Sequence, residues 1–114
     1  MQAYGGGAIV KYLSLAALEP RLSYPLSTPI RTAALSFAKF LADRYSRAGI
    51  RMNNVLPVFM ENHEFPNAVR ISIPMAQTGY LAELAATVRS LFSAEAGYIA
   101  GQNIVVDGGL NRRI

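Results

Sequence analysis

The side chains best placed to do chemistry lie at the start of a predicted long helix. The segment STPIRTAALSFAKFLADRYSRAG, residues 27–49, begins with the hydroxyl of Ser27 and carries the guanidinium of Arg31 four residues later. A cation in the first turn of a helix is disfavoured by the helix dipole, by about 0.3 to 1 kcal/mol when it is exposed. Arg31 therefore needs an explanation, such as an anionic neighbour or a functional role, and a surface ion pair with Glu19 is the simplest alternative. Ser27, or Thr28 beside it, is by itself an ordinary helix-capping residue.

A glycine triplet and a histidine are residue types that occur in phosphate-binding and metal sites, but their surroundings in this sequence do not support either kind of site. Gly5-Gly6-Gly7 suggests a phosphate-binding loop, but such a loop follows a strand and opens a helix, whereas this triplet precedes a predicted strand. His63 is the single histidine, and with no cysteine beside it we predict no metal site. We interpret His63 as an exposed loop residue and Asp107-Gly108-Gly109 as a turn.

Length and composition are those of one globular domain. The chain has 114 residues, of which 52% are hydrophobic, and this is enough to fill a core. Its apolar runs are broken well short of the ~20 residues that a membrane-spanning helix needs, and its N-terminus lacks the features of a signal peptide. Zero cysteines exclude disulfides and thiolate chemistry. We therefore predict a cytoplasmic protein that does not act at a membrane.

The net charge of +4 does not form a recognisable nucleic-acid site. Basic residues are concentrated in the first half of the chain but are scattered through apolar segments, with no basic run interleaved with aromatic residues. We predict no nucleic-acid partner.

Strand and helix patterns alternate along the chain. We predict a single partial domain over residues 1–114, with a strand at 8–13, a helix at 27–48, a strand at 50–56, a loop at 57–78, a helix at 80–92 and a strand at 103–106. This order is typical of an α/β fold with a parallel sheet. Three strands are few for such a sheet, because parallel strands need cover on both faces and an open edge leaves backbone groups unpaired. The pattern is that of part of a larger fold.

The predicted 27–48 helix has two apolar stripes. One consists of Ile30, Ala34, Phe37 and Leu41, and the other of Leu35, Ala38, Ala42 and Tyr45. One buried face needs only one stripe. We therefore expect this helix to be covered from two sides.

Three segments resemble, in order and spacing, the C-terminal half of the short-chain dehydrogenase/reductase family. They are GGGAIVKYLSLAALEP, GIRMNNVLP and SAEAGYIAGQNIVVDGGL, and together they run over almost the whole chain. The resemblance implies the C-terminal portion of a Rossmann-type parallel sheet, with three strands and two main helices. The N-terminal half of that fold, with the glycine-rich turn that holds the cofactor pyrophosphate, is not in this sequence.

The resemblance also assigns catalytic positions. The family has a serine after its fifth strand and a Tyr-x-x-x-Lys at the start of the next helix, where the tyrosine transfers a proton and the lysine lowers the tyrosine pKa. Ser14 stands at the serine position, Ser27 at the tyrosine position and Arg31 at the lysine position. An aliphatic hydroxyl is far less acidic than a phenol, and a guanidinium does not deprotonate in proteins, so this pair is not expected to perform the usual proton transfer.

Tyr24 offers two alternatives. In a second register Tyr24 takes the tyrosine role and pairs with Thr28 in place of the lysine, only ten positions after Ser14. In the first register it lies about one turn before the helix and reaches into the site from there.

By the same resemblance, the cofactor is NAD or NADP. Pro57, Val58, Phe59 and Asn62 occupy the segment that packs on the nicotinamide in the family, and Arg31 would contact the ribose or a phosphate. Val58 replaces the family's glycine, which permits close backbone approach, and Asn62 stands at a position where threonine is common. We expect no cofactor binding by this chain alone.

Two functional hypotheses follow. In the first, the chain is a truncated part of an NAD(P)-dependent oxidoreductase that acts on a small-molecule alcohol or carbonyl substrate, and it is inactive alone. In the second, it is a non-catalytic oligomerisation module or a degenerate relic of the family. The family's long helix packs on its copy in a neighbouring subunit, so the resemblance also implies a homo-oligomer formed through the 27–48 helix.

Overall fold

Three parallel strands form the centre of the molecule. The computed structural model describes residues 1–113, in which β1 spans Gly7–Tyr12, β2 spans Ile50–Pro57 and β3 spans Asn103–Val106. The strands pair in the order β1-β2-β3, with Ile9 opposite Met52 and Val55 opposite Ile104. The predicted α/β class with a parallel sheet is confirmed.

A long helix, α1 (Ser27–Tyr45), covers one face of this sheet. Its buried residues Leu35, Ala38 and Ala42 belong to one of the two predicted stripes, and Leu35 packs in a core cluster with Leu56 of β2. The other stripe is largely open in the single chain, because Ile30 is 70% exposed and Phe37 is 55% exposed.

The third helix of the chain, α3 (Leu81–Phe92), covers the opposite face. Leu84 and Leu91 pack there with Val55 of β2 and with Met60. Both faces of β2 are therefore buried, as a parallel strand requires, and its near-continuous apolar sequence is explained by this position. None of the helices described in residues 1–113 has the length and apolarity to cross a membrane.

The glycine triplet lets the starts of β1 and β2 meet. A Cβ on Gly6 would lie 2.3 Å from the carbonyl oxygen of Gly49, and the backbone N–H of Gly7 donates to that same oxygen at 3.0 Å. Gly49 itself has a φ of 72°, the left-handed conformation expected after the end of a helix. The triplet thus has a packing role.

The structure differs from the predicted helix end and from the predicted loop. Helix α1 ends at Tyr45, and residues Ser46–Ala48 form a tighter 3₁₀ turn. The segment predicted as a loop over 57–78 contains a short helix, α2 (Asn67–Ser72), directly after Pro66. The two ends of the 57–78 segment also lie close together, because the N–H of Glu61 donates to the carbonyl of Gly79 at 2.9 Å.

The predicted helix over 80–92 begins one residue later. Tyr80 is the capping residue, and its N–H donates to the Glu83 carboxylate at 2.9 Å, which satisfies one of the free donors at a helix start.

Candidate functional site

A cleft of about 350 Å³ opens at the carboxyl ends of β1 and β2. Its walls come from three segments: the end of β1 and the turn that follows, the connection into α1 with the helix's first turns, and the residues after β2. In open parallel sheets, ligands bind in the crevice at the carboxyl edge of the strands. The cleft is therefore the candidate functional site.

Ser14 lies on this cleft just after β1. It has an extended backbone and is half-buried, and its hydroxyl oxygen accepts a hydrogen bond from the N–H of Ala16 at 3.3 Å. This bond caps the 3₁₀ turn Leu15–Ala17. Because a hydroxyl is both a donor and an acceptor, the Ser14 O–H still has its proton to donate into the cleft.

Tyr24 and Ser27 are placed differently with respect to the cleft. Tyr24 is one of its lining residues and its side chain is 53% exposed, whereas Ser27 is not among the lining residues. The carbonyl of Tyr24 accepts from the N–H of Thr28 at 3.3 Å, so the chain is already winding into the helix one turn before Ser27. The phenol is thus the hydroxyl-bearing side chain that this connection presents to the site.

The predicted capping by Ser27 or Thr28 is wrong. Leu26 occupies the position before the helix in a helical conformation, and no side-chain oxygen caps α1. The reason is that the preceding turn supplies backbone acceptors, since the N–H of Thr28 bonds to Tyr24 and the N–H of Ile30 bonds to Leu26. Pro29 is accordingly the third residue of the helix. Proline is tolerated there because the first N–H groups of a helix have no carbonyl within the helix to donate to, so its missing N–H breaks no hydrogen bond of α1.

Arg31 lines the cleft from α1 and is half-buried. Among residues 1–113 its guanidinium makes no hydrogen bond and no ion pair. The alternative of a surface ion pair between Arg31 and Glu19 is wrong, because the Glu19 carboxylate lies 3.7 Å from Arg21, two residues along the same connection. Arg31 therefore presents an uncompensated positive charge to the site.

The segment after β2 forms the facing wall. Pro57, Val58, Phe59 and Asn62 all line the cleft. The N–H of Val58 bonds to the carbonyl of Val106 at 3.2 Å, which continues the pairing with β3. Val58 itself does not have a positive φ. The next residue, Phe59, does, with a φ of 47°, an uncommon value for a bulky residue. Phe59 also packs edge-on against Phe65, with ring centroids 5.0 Å apart.

Sequence reasoning missed several residues of the cleft. Arg21, His63 and Phe65 also line it. His63 is exposed, as predicted, but its ring lies 6.2 Å from that of Phe65 at the cleft rather than on a remote loop. For Arg21, the available signal was its position in the connection between Ser14 and Arg31, because parallel-sheet topology brings such connections toward the carboxyl edge.

A second cavity of about 500 Å³ adjoins the first, and Val58 and Phe59 form the wall between them. It is bounded by the segment around Ile73–Gly79, by the first turn of α3 and by the end of β3 with the Asp107-Gly108-Gly109 turn. No group of three or more His, Asp or Glu side chains able to hold a metal lies anywhere in the described part of the chain.

Lys11 lies behind the cleft, between β1 and α1. Its ammonium donates to the carbonyl of Ala34 and lies 5.4 Å from the centroid of the Phe37 ring. Burial lowers the pKa of Lys11 below its ordinary value, because desolvation disfavours the charged form.

Comparisons with known proteins bear on the whole chain. A family model described as enoyl-(acyl carrier protein) reductase matches residues 1–111. The 7alpha-hydroxysteroid dehydrogenase of Bacteroides fragilis is 32% identical over 118 residues, covering 96% of this chain and 46% of that enzyme. An uncharacterised short-chain type dehydrogenase/reductase of Sinorhizobium fredii is 34% identical over 117 residues, covering 91% of this chain and 21% of its own length.

A solved structure shows the same arrangement of elements. The crystal structure of YwfH, an NADPH dependent reductase involved in bacilysin biosynthesis, superposes with a TM-score of 0.91 at 25% identity, covering 99% of this chain and 50% of that protein. This chain thus spans half or less of the length of each of these proteins.

Proposed function

The chain belongs to the short-chain dehydrogenase/reductase family, and on that premise we propose that it is part of an NAD(P)-dependent oxidoreductase that interconverts an alcohol and a carbonyl group. The observation that carries the proposal is the meeting of Ser14, Tyr24 and Arg31 on one cleft at the carboxyl edge of the sheet. A hydrogen-bond donor, a phenol and a fixed cation are the groups that a carbonyl reduction needs beside its hydride source.

The residues of the cleft fit the nicotinamide end of the cofactor. The guanidinium of Arg31 has its five donors free among residues 1–113, which suits ribose hydroxyls or a phosphate, and Asn62 on the facing wall has an amide for the carboxamide. Pro57 and Val58 supply an apolar surface for the ring, with valine in place of the family's glycine. When bound, the nicotinamide supplies or accepts the hydride.

The residues of this chain then have distinct roles at the reacting oxygen. The Ser14 O–H donates a hydrogen bond to the substrate carbonyl oxygen and orients it. The Tyr24 phenol gives its proton to that oxygen as the alcohol forms, and takes it back in the reverse reaction. Arg31, which stays protonated, favours the phenolate that remains. Ser27 has no part in this proton transfer, because its aliphatic hydroxyl is a much weaker acid and is not on the cleft.

The test compares two hydroxyl deletions in a full-length relative that carries the same STPIR segment. Changing Tyr24→Phe removes the proton donor and is expected to lower kcat about 100-fold or more, the typical contribution of general acid catalysis. The matched change Ser27→Ala is expected to leave kcat within about twofold, as for a residue outside the proton transfer. Steady-state reductase kinetics measure both, and a loss confined to Ser27→Ala would overturn the assignment of Tyr24.

We expect no turnover by the 114-residue chain itself. The described residues contain no strand-turn-helix unit with a glycine-rich turn, which is the element that binds the pyrophosphate in a dinucleotide site. We assign that element to the remainder of the domain, which in the matched relatives makes up half or more of the protein.

A second candidate function is a non-catalytic oligomerisation module. The observation that favours it is the exposed apolar face of α1, on which Ile30, Phe37 and Phe40 are 70%, 55% and 69% exposed. An apolar face of this kind suits packing against the same helix of a second copy. Oligomerisation through this face is also compatible with the enzyme, because an oligomer-forming helix can carry Arg31 into the cleft, whereas a module that has lost catalysis is a distinct alternative.

A further inference from the structure

The two adjoining cavities carry opposite charges. The cleft is lined by two guanidiniums, Arg21 and Arg31, together with His63, and by no carboxylate. The second cavity is lined by two carboxylates, Glu83 and Asp107, and by no cation.

The carboxylates of the second cavity are occupied by backbone donors. Asp107 accepts from the N–H of Gly109 at 2.9 Å and from that of Asn111 at 2.6 Å, and Glu83 accepts from the N–H of Tyr80 at 2.9 Å. These acids hold a turn and a helix start, and their hydrogen-bonding capacity is largely used within the fold.

The cations of the cleft are not occupied in this way. Neither Arg21 nor Arg31 donates a hydrogen bond within the part of the chain that the structure describes. The nearest carboxylate to Arg21 is that of Glu19, at 3.7 Å, which is beyond hydrogen-bonding distance, and both side chains are partly exposed, so the pair is weak. A guanidinium carries five donors in a planar fork that matches a carboxylate or phosphate.

Aromatic rings line the same cleft as these free donors. Tyr24 comes from the same connection as Arg21, and Phe59 and Phe65 contribute an edge-on pair of rings to the cleft. Such a wall binds an apolar or aromatic body, while the guanidinium fixes a charged end.

We infer that the substrate of this cleft carries a carboxylate on an apolar or aromatic body, and that Arg21 binds the carboxylate while the carbonyl to be reduced lies at Ser14 and Tyr24. The inference rests on the proposed function for the role of Ser14 and Tyr24. Arg31 remains for the cofactor, because it lies on α1, whereas Arg21 lies on the connection that carries Tyr24.

The experiment titrates the 114-residue chain with 3-phenylpropionate and, separately, with its neutral analogue 3-phenylpropanamide, followed by ¹H–¹⁵N NMR. The carboxylate probe is expected to shift the amides of Arg21, Tyr24 and Phe65 and to bind about tenfold more tightly than the amide, since the two differ in a charge-assisted bidentate contact. Equal affinity of the two probes, or no binding of the carboxylate, would overturn the inference.

Two variants assign the contact. Arg21→Gln is expected to weaken 3-phenylpropionate about tenfold and to leave 3-phenylpropanamide unchanged, whereas Arg44→Gln, at an exposed position near the far end of α1, is expected to change neither. A loss caused by Arg31→Gln and not by Arg21→Gln would overturn the assignment to Arg21. If Arg21→Gln unfolds the chain, the salt dependence of binding to the unmodified chain tests the contact instead. We expect the affinity for 3-phenylpropionate to fall as NaCl is raised from about 0.02 to about 0.5 M, and the affinity for 3-phenylpropanamide to stay the same. A carboxylate affinity that does not fall would overturn the inference.

Inorganic phosphate separates a substrate carboxylate from a cofactor phosphate. Phosphate is expected to shift the amide of Arg31 and to displace 3-phenylpropionate poorly. Displacement at an affinity equal to that of the probe would identify a phosphate site and overturn the substrate assignment. Because neither probe contains a carbonyl that can be reduced or a nicotinamide, the titration tests this inference independently of catalysis. Loss of the proposed oxidoreductase function would appear instead in the kinetics of the full-length relative.

Discussion

Lys11 is a half-buried cation that is tied to α1, the helix that carries Arg31. Its ammonium lies between β1 and α1, donating to the carbonyl of Ala34 and facing the ring of Phe37. These contacts favour the charged form, but desolvation lowers the pKa of Lys11 in the folded chain. Lys11 therefore joins α1 to β1, which ends at Tyr12 shortly before Ser14, and its charge is partly desolvated as a result.

This burial predicts a specific pH dependence. Between the lowered pKa and the ordinary value of 10.5, the unfolded chain binds more protons at this position than the folded chain, so the free energy of unfolding rises with pH in that window. We therefore expect the free energy of unfolding of the unmodified chain, minus that of Lys11→Met, to increase as the pH approaches 10.5. Urea unfolding at a series of pH values measures both. Lys39→Met, at an exposed lysine of α1, serves as the control. A difference that falls over this range would contradict the prediction.

Asn53 has a comparable role on the other face of the sheet. Its side chain is 1% exposed, donates to the carbonyl of Ile99 at 2.9 Å and accepts from the N–H of Gln102 at 3.0 Å. It thus fixes the segment that leads into β3.

Replacing this amide leaves both backbone groups without a partner. We expect Asn53→Ala to lower the free energy of unfolding by about 1 to 3 kcal/mol, the usual cost of unsatisfied buried polar groups. Asn67→Ala, at an exposed position of α2, is the control and is expected to change it by less than about 0.5 kcal/mol. Urea unfolding measures both, and equal effects would contradict the assigned role.

At the scale of elements, α1 performs three tasks at once. The stripe with Leu35 packs on the sheet, the first turns carry Arg31 into the cleft, and the stripe with Phe37 is exposed. Leu35 is therefore unsuitable as a probe of subunit association, because a charge there would disrupt the core rather than an interface. The exposed stripe is the face to test.

Phe40→Asp places a charge on that face without touching the core, since Phe40 is 69% exposed. If α1 packs against α1 of a second copy, we expect Phe40→Asp to convert the oligomer to monomer, because the charge would be buried without a partner. Sedimentation velocity measures the change, with Ala86→Asp on the exposed side of α3 as the control. An oligomer that persists in Phe40→Asp would count against this interface.

At the scale of the molecule, the sheet has the character of one part of a larger layer. β1 is an edge strand in this structure, and the residues described include the cleft proposed for the nicotinamide but no glycine-rich turn for the pyrophosphate. The matched relatives are at least about twice as long, and this agrees with an incomplete cofactor site.

We accordingly expect no detectable binding of NADH or NADPH to the 114-residue chain by titration calorimetry. The nicotinamide and one ribose offer few contacts, and most dinucleotide affinity is expected from the pyrophosphate at a helix N-terminus. A full-length relative titrated in parallel is the control. Micromolar binding by this chain alone would show that the expectation is wrong.

The sequence by itself determined the fold class and the family. The two periodicities identify strands and helices because each element must bury one face, and segments such as AGYIAGQNIVVDGG carry the resemblance to the family. The departures from the family pattern at Ser27, Arg31 and Val58 stay predictions of the resemblance.

Only the tertiary structure decided which side chains meet. It brought Tyr24 to the cleft and left Ser27 out, paired Glu19 with Arg21 rather than Arg31, and closed the 57–78 segment against Gly79. The physical reason is that these contacts depend on how connections without regular periodicity are folded between packed elements, and local patterns contain no information on the distances between segments far apart in the chain.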